Sequence, residues 1–131
     1  MKKRVLIVDD EPSIRRVLQA LLAREGYEVD LATDGAEAID CLSRGQYHAV
    51  VTDLKMPHIG GLELLSWVVA NDPGLPVIII TAHGTVDSAV EALKLGATDY
   101  ITKPFDQDDL KRIIAKALRV EELNSLELQP E

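Results

Sequence analysis

The sequence predicts an α/β fold built on one open, doubly wound parallel sheet, and three observations predict it. Short apolar runs alternate five times along the chain with segments of helical period. Three of those runs are apolar on both faces, as strands covered by helices on either side must be. The other two are mixed or short, which suits the edges of a sheet.

Taken in order, Val5-Leu6-Ile7-Val8 is a fully apolar run closed by Asp9-Asp10. Ile14, Val17, Leu18, Leu21 and Leu22 follow at helix spacing, with Pro12 near the first turn and Gly26 as the stop. Tyr27, Val29 and Leu31 alternate with polar residues, so this strand has one wet face. Asp34 with Glu37 forms a capping-box pattern that opens a second helix containing Ile39 and Leu42. Ala49-Val50-Val51 is the third run, ended by Thr52-Asp53. Met56 to Gly61 is loop chemistry, and Leu62, Leu65 and Val69 mark a third helix. After the Asp72-Pro73-Gly74 turn comes Val77-Ile78-Ile79-Ile80-Thr81, then a fourth helix with Val86, Ala89, Val90 and Leu93 on its stripe, stopping near Gly96. Asp99 to Thr102 makes a last short strand. Asp106 caps a fifth helix with Leu110, Ile113, Ile114, Ala117 and Leu118 on one face. Ranking the runs by burial yields the order 2-1-3-4-5, a flavodoxin-like (βα)5 sheet.

Composition bounds what such a domain does. The chain has 131 residues with 22 acidic and 14 basic, a formal net charge of −8. That balance argues against direct contact with nucleic acid or an anionic membrane. The apolar run after Met1-Lys2-Lys3-Arg4 is too short for a secretory signal, no run approaches a membrane span, and the single Cys41 has no internal disulfide partner. The expected location is cytoplasmic.

In sheets of this order ligands bind beyond the carboxyl ends of the strands, where strand order reverses, here between the first and third strands. Asp9, Asp10, Asp53, Thr81 and Lys103 stand just past strand ends. Singly, each has a plain structural reading: Asp10 as a helix cap, Lys103-Pro104 as a surface turn. Their convergence at one end is the signal. Three neighbouring carboxylates repel one another and call for a divalent cation, and all-oxygen ligation with room for water suits Mg²⁺. A metal together with Lys103 would balance the charge and leave one carboxylate free to act as a nucleophile. Asp53 is the candidate, at the end of a central strand with a glycine-containing loop beyond it. Phosphoryl transfer asks mainly for positioning and neutralisation, which the metal, Lys103 and the Thr81 hydroxyl would supply.

Over roughly residues 4 to 120 the chain resembles a response-regulator receiver domain (CheY-like), on Val8-Asp9-Asp10-Glu11-Pro12, Thr52 to Pro57, Thr81-Ala82 and Lys103-Pro104-Phe105. The resemblance implies a regulatory phosphoacceptor that catalyses only its own phosphorylation and dephosphorylation. Asp53 would take phosphoryl from a sensor histidine kinase. Asp10 and Asp53 would ligate Mg²⁺ directly, Asp9 through water, with the main-chain carbonyl of Lys55 as a further ligand. Lys103 would pair with the phosphoryl group, its bond to Pro104 would be cis, and Thr81 with Tyr100 would form a coupled switch. The wording from Thr81 to Ala92 is similar to receivers of the nitrogen-regulation (NtrC and DctD) type of transcription activator. That likeness implies homodimerisation through the fourth helix, fifth strand and fifth helix. It also implies AAA+ ATPase and DNA-binding domains in a longer protein, with residues 1–120 as the receiver and 121–131 as the start of a linker.

Two other functions fit a sheet of this kind less well. An aspartyl-nucleophile phosphatase carries Asp-x-Asp after its first strand, whereas Asp9-Asp10 are adjacent. A flavin carrier needs a hydroxyl-rich, glycine-containing phosphate loop there, and two carboxylates would repel its phosphate. His48, His58 and His83 lack metal-ligand spacing. His83 is either a loop residue or a tuner of hydrolysis. Cys41 reads as packing, Trp67 as partly buried on a helix flank, and Val120, Leu123 and Leu126 as a weak dimerisation signal.

Overall fold

The computed structural model describes the backbone of residues 2–81 and 86–128, and the side chains of these apart from 86, 87, 89 and 124–128. The elements are β1 (Arg4–Val8), α1 (Pro12–Arg24), β2 (Glu28–Ala32), α2 (Gly35–Arg44), β3 (Ala49–Asp53), α3 (Gly61–Asn71), β4 (Val77–Thr81), α4 (Val86–Leu95), β5 (Asp99–Thr102) and α5 (Gln107–Leu128). The five strands are parallel and ordered β2-β1-β3-β4-β5, as the run pattern predicts.

Strand alternation divides the core between the two faces of the sheet. Val5, Ile7, Ala49, Val51, Ile78 and Ile80 pack on one side with Leu18 and Leu22 of α1 and Leu110 and Ile114 of α5. Leu6, Val8, Val50, Val77 and Ile79 face the other way, onto Ala38, Leu64, Leu65, Val68 and Ala92. With both faces covered, β3 and β4 are buried at every position and are apolar until Thr52-Asp53 and Thr81 at their carboxyl ends.

The helix starts follow capping chemistry. Pro12 opens α1, where its missing N–H is no loss. Asp34 Oδ1 accepts from the Glu37 N–H at 2.8 Å, but Glu37 Oε2 accepts from the Thr33 hydroxyl, so only half of the expected capping box forms. Asp106 Oδ1 accepts from the Asp108 N–H at 2.7 Å and opens α5. Gly26 and Gly96 follow α1 and α4 with φ of 92° and 116°, the left-handed conformation that ends a helix.

Two helix stripes differ from expectation. On α3 the buried residues are Gly61, Leu64, Leu65 and Val68, while Val69 is exposed and lies against the turn at Gly96. On α4 Ala92 is buried, but Val90 and Leu93 lie on the outside. The small Ala92 joins the core on that side of the sheet, and the larger side chains are left on the surface. Val86 and Ala89, also expected on that stripe, have side chains outside the described residues. Trp67 and Cys41 are partly buried against the second core cluster, and burial raises the Cys41 thiol pKa above its ordinary value. Among the described residues no helix is long and apolar enough to cross a membrane.

Candidate functional site

Asp9 follows β1, Asp53 ends β3 and Thr81 ends β4, so the parallel register delivers all three to the same edge of the sheet. Asp9, Asp10 and Asp53 each present a carboxylate oxygen within 4.8 Å of the others. Asp9 is only 1% exposed and Asp53 8%, whereas Asp10 is open to solvent. Two buried carboxylates need compensation, and Lys103 provides it. Its Nζ donates to Asp9 Oδ2 and to Asp53 Oδ2, each at 3.1 Å, with Glu11 Oε1 at 3.8 Å.

The Lys103 side chain is itself 10% exposed. Burial pulls its pKa down, but the hydrogen bonds and charges of Asp9 and Asp53 outweigh that and hold it above the ordinary lysine value. Lys103 is therefore a cation at neutral pH. Three carboxylates against one ammonium still leave an excess of two negative charges, to which Glu11 adds. The donor set is all oxygen, clustered and under-neutralised. That chemistry fits a hard divalent cation such as Mg²⁺.

Backbone contacts orient the carboxylates. Asp53 Oδ1 accepts from the Leu54 N–H at 2.7 Å, with the Lys55 N–H at 3.5 Å, and Oδ2 is turned to Lys103. Asp9 Oδ1 accepts from the Glu11 N–H at 2.9 Å. Arg15, on the first turns of α1, donates through Nη1 to the Asp9 carbonyl at 2.6 Å. Arg15 was not singled out by sequence reasoning; its place one turn beyond the acidic pair was the signal. Nor was Gly61, the first residue of α3. A Cβ there would lie 2.2 Å from the Asp53 carbonyl oxygen, and the Gly61 N–H donates to the Leu54 carbonyl at 2.9 Å. The backbone of α3 thus rests directly on the end of β3.

Thr81 is buried at the crevice edge, and its carbonyl accepts from the Lys103 N–H at 2.8 Å. The Lys103-Pro104 peptide is cis. Lys55 lies in the loop beyond Asp53. Tyr100, on β5, is not gathered into the crevice: it pairs with Ile79 of β4 and is 38% exposed. His48 Nδ1 accepts from the Arg4 N–H at 2.9 Å, at the other end of the sheet, and His58 Nε2 lies 3.9 Å from Asp34. His83 lies outside the described residues.

Comparison with known proteins agrees with this arrangement. The profile of the response regulator receiver domain family matches residues 5–115. The chain is 40% identical over 119 residues to the response regulator protein PilR of Pseudomonas aeruginosa, covering 91% of this chain and 27% of that protein. It is 38% identical over 120 residues to the regulatory protein AtoC of Escherichia coli, covering 92% of this chain and 26% of that one. The chain thus spans about a quarter of the length of these curated relatives. Among solved structures, the signal receiver domain of a Luxo repressor protein from Vibrio parahaemolyticus superposes with a TM-score of 0.93 at 34% identity, covering 99% of this chain and 100% of that one. NtrX from Brucella abortus superposes with a TM-score of 0.89 at 34% identity, over 95% of this chain and 28% of that one.

Proposed function

We infer, from the premise that this chain belongs to the response regulator receiver domain family of two-component systems and is related to its NtrC-type members, that Asp53 is its phosphoacceptor. The observation that carries this reading is the clustering of Asp53 with Asp9, Asp10 and Lys103. An Asp53 carboxylate oxygen attacks the phosphorus of a phosphohistidine on a sensor kinase. The P–N bond breaks with its electron pair returning to the imidazole nitrogen, and an acyl phosphate remains on Asp53.

The Leu54 N–H holds one Asp53 oxygen, which fixes the carboxylate for attack. Lys103, already cationic, exchanges its Asp53 contact for a phosphoryl oxygen while keeping Asp9. Thr81 would donate its hydroxyl to another. Asp9, Asp10 and Asp53 would hold Mg²⁺, with the main-chain carbonyl of Lys55 as a further donor. When bound, the ion neutralises charge on the phosphoryl oxygens. Incubation with acetyl phosphate and Mg²⁺ is expected to add one hydroxylamine-labile phosphoryl group by intact mass, and EDTA is expected to prevent it. Asp10→Asn should weaken Mg²⁺ binding by roughly tenfold, because an accessible charged ligand is lost. Uptake that survives EDTA, or an unchanged Mg²⁺ affinity in that variant, would remove the metal from the reading.

The output we propose is a switched partner surface on α4, β5 and α5. Phosphorylation brings about one further negative charge and three acceptor oxygens to Asp53. Drawing Thr81 and Lys103 inward acts at the ends of the strands on either side of α4, and the outward Tyr100 is the aromatic that can turn in. Val90, Leu93 and Leu95 are apolar and exposed on α4 and support this face as a docking surface. In the longer relatives such a surface would govern AAA+ and DNA-binding modules, with residues 121–131 leading toward them; α5 runs on through this stretch to Leu128. Sedimentation with and without beryllofluoride and Mg²⁺ should show a change of self-association. An unchanged oligomeric state would point to a different protein as the reader of this face.

A further inference from the structure

We propose that the pole of the domain opposite the carboxylate crevice carries a second site, which takes an organic cation (a guanidinium or primary ammonium group) on the buried carboxylate of Glu121. The inference stands apart from the phosphoacceptor reading. β3 runs from Ala49 to Asp53, and at its Ala49 end a cavity of about 490 Å³ opens between the turn before β3 and the turn before β4. His48, Tyr47, Asp72, Leu42, Leu75 and Glu121 are among the residues that line it. This volume lies within the range of small-ligand pockets, roughly 300–1,000 Å³.

Glu121 is what makes the cavity more than a surface dent. On α5 the buried stripe runs Leu110, Ile114, Ala117 and Leu118, and the next position at helical spacing is Glu121. An acid therefore stands where the pattern calls for an apolar residue. It is 9% exposed, and its Oε2 is enclosed with no hydrogen-bond partner. Buried carboxylate oxygens are rarely left so, because the ionised form loses its hydration without recompense.

Lys3 and Arg4 each have an acidic partner of their own, although Arg4 Nε is, like Glu121 Oε2, buried without a hydrogen bond. Lys3 pairs with Glu122 at 3.2 Å, and Arg4 pairs with Asp30 at 3.2 Å while its guanidinium lies 5.2 Å from the centre of the Tyr47 ring. His48 is engaged as well, its Nδ1 accepting from the Arg4 N–H at 2.9 Å.

The ligand class follows from the geometry. Among the described residues the only trio of metal-type ligands close enough to share an ion is Asp9, Asp10 and Asp53. His48, Asp72 and Glu121 are too far apart to close on a metal, but both acids line one cavity. A charged head on Glu121 with a methylene stem against Leu42 and Leu75 matches this mixture of acid and apolar wall.

The test uses the unphosphorylated chain and amide proton–nitrogen correlation spectra at physiological salt. Agmatine probes a free cation, and the blocked tripeptide acetyl-Gly-Arg-Gly-amide probes a side chain within a polypeptide. Saturable shifts are expected in residues 42–48, 72–75 and 117–122 with at least one probe. Glu121→Gln should weaken that binding by roughly tenfold or more, as loss of a charge-assisted hydrogen bond does, and Asp72→Asn should weaken it less. Response to the tripeptide alone assigns the site to a partner's basic side chain; response to agmatine assigns it to a small free cation as well. Shifts that never saturate, that gather instead at Asp9, Asp10 and Asp53, or that survive unchanged in Glu121→Gln overturn the proposal.

Discussion

Asp53→Asn is expected to abolish phosphoryl uptake from acetyl phosphate, by roughly three orders of magnitude or more, the scale on which removal of a covalent nucleophile acts. The variant keeps the shape of the side chain and one carbonyl oxygen, so the 2.7 Å bond from the Leu54 N–H can persist. What disappears is the negative charge and the nucleophilic oxygen facing Lys103. The fold should survive, because Lys103 retains Asp9 as its partner at 3.1 Å. Removing Asp53 also relieves repulsion among the three carboxylates, so any change in stability should be small beside the loss of chemistry. Intact mass after incubation, read beside a urea melt, separates the two effects. A phosphoryl group retained at full stoichiometry in Asp53→Asn would move the acceptor to another residue.

Gly61→Ala is expected to lower stability by about 1–3 kcal/mol and to slow phosphoryl uptake with it. Two effects oppose each other here, and their sizes decide the sign. Gly61 is the first residue of α3, and helix propensity alone favours alanine by about 0.5–1 kcal/mol. The added Cβ, however, would stand 2.2 Å from the Asp53 carbonyl oxygen and 2.9 Å from the Leu54 Cα. Backbone on both sides of that contact cannot rotate away as a side chain can, so the helix or the end of β3 must shift. The group displaced belongs to the proposed phosphoacceptor, which is why a purely steric change should reach the chemistry. Urea midpoints and initial rates of phosphorylation would be measured on the same preparation. Stability within about 0.5 kcal/mol of the parent would show that α3 slides without disturbing Asp53.

Much of the fold is legible in the sequence because this architecture repeats one local rule. Val5 to Val8, Ala49 to Val51 and Val77 to Ile80 are apolar on both faces, and only a strand with helices above and below has use for that. The weaker patterns at Tyr27 and Asp99 then fall to the edges, and the order of the sheet follows. The stripes of α3 and α4 were harder to read. Val69 on the one, Val90 and Leu93 on the other, satisfy helical spacing as well as the residues that are buried. Periodicity identifies a helix before it identifies which of two adjacent stripes meets the sheet.

What the sequence determined by itself was the set of strand ends: Asp9, Asp10, Asp53, Thr81 and Lys103 each follow or close a readable run, and parallel strands deliver such residues to one edge. Only the tertiary structure decided which of them touch. Lys103 meets Asp9 across 94 residues of chain and Asp53 across 50, and no local pattern encodes those two contacts of 3.1 Å. Tyr100 stays outside the cluster for the same reason, since the outward direction of its side chain depends on how β5 sits against β4. The close approach of Gly61 to Asp53 and the unpartnered oxygen of Glu121 are likewise products of packing. Spacing along a chain fixes the direction in which a side chain leaves its own element; the atoms it meets there belong to elements brought alongside only by the folded core.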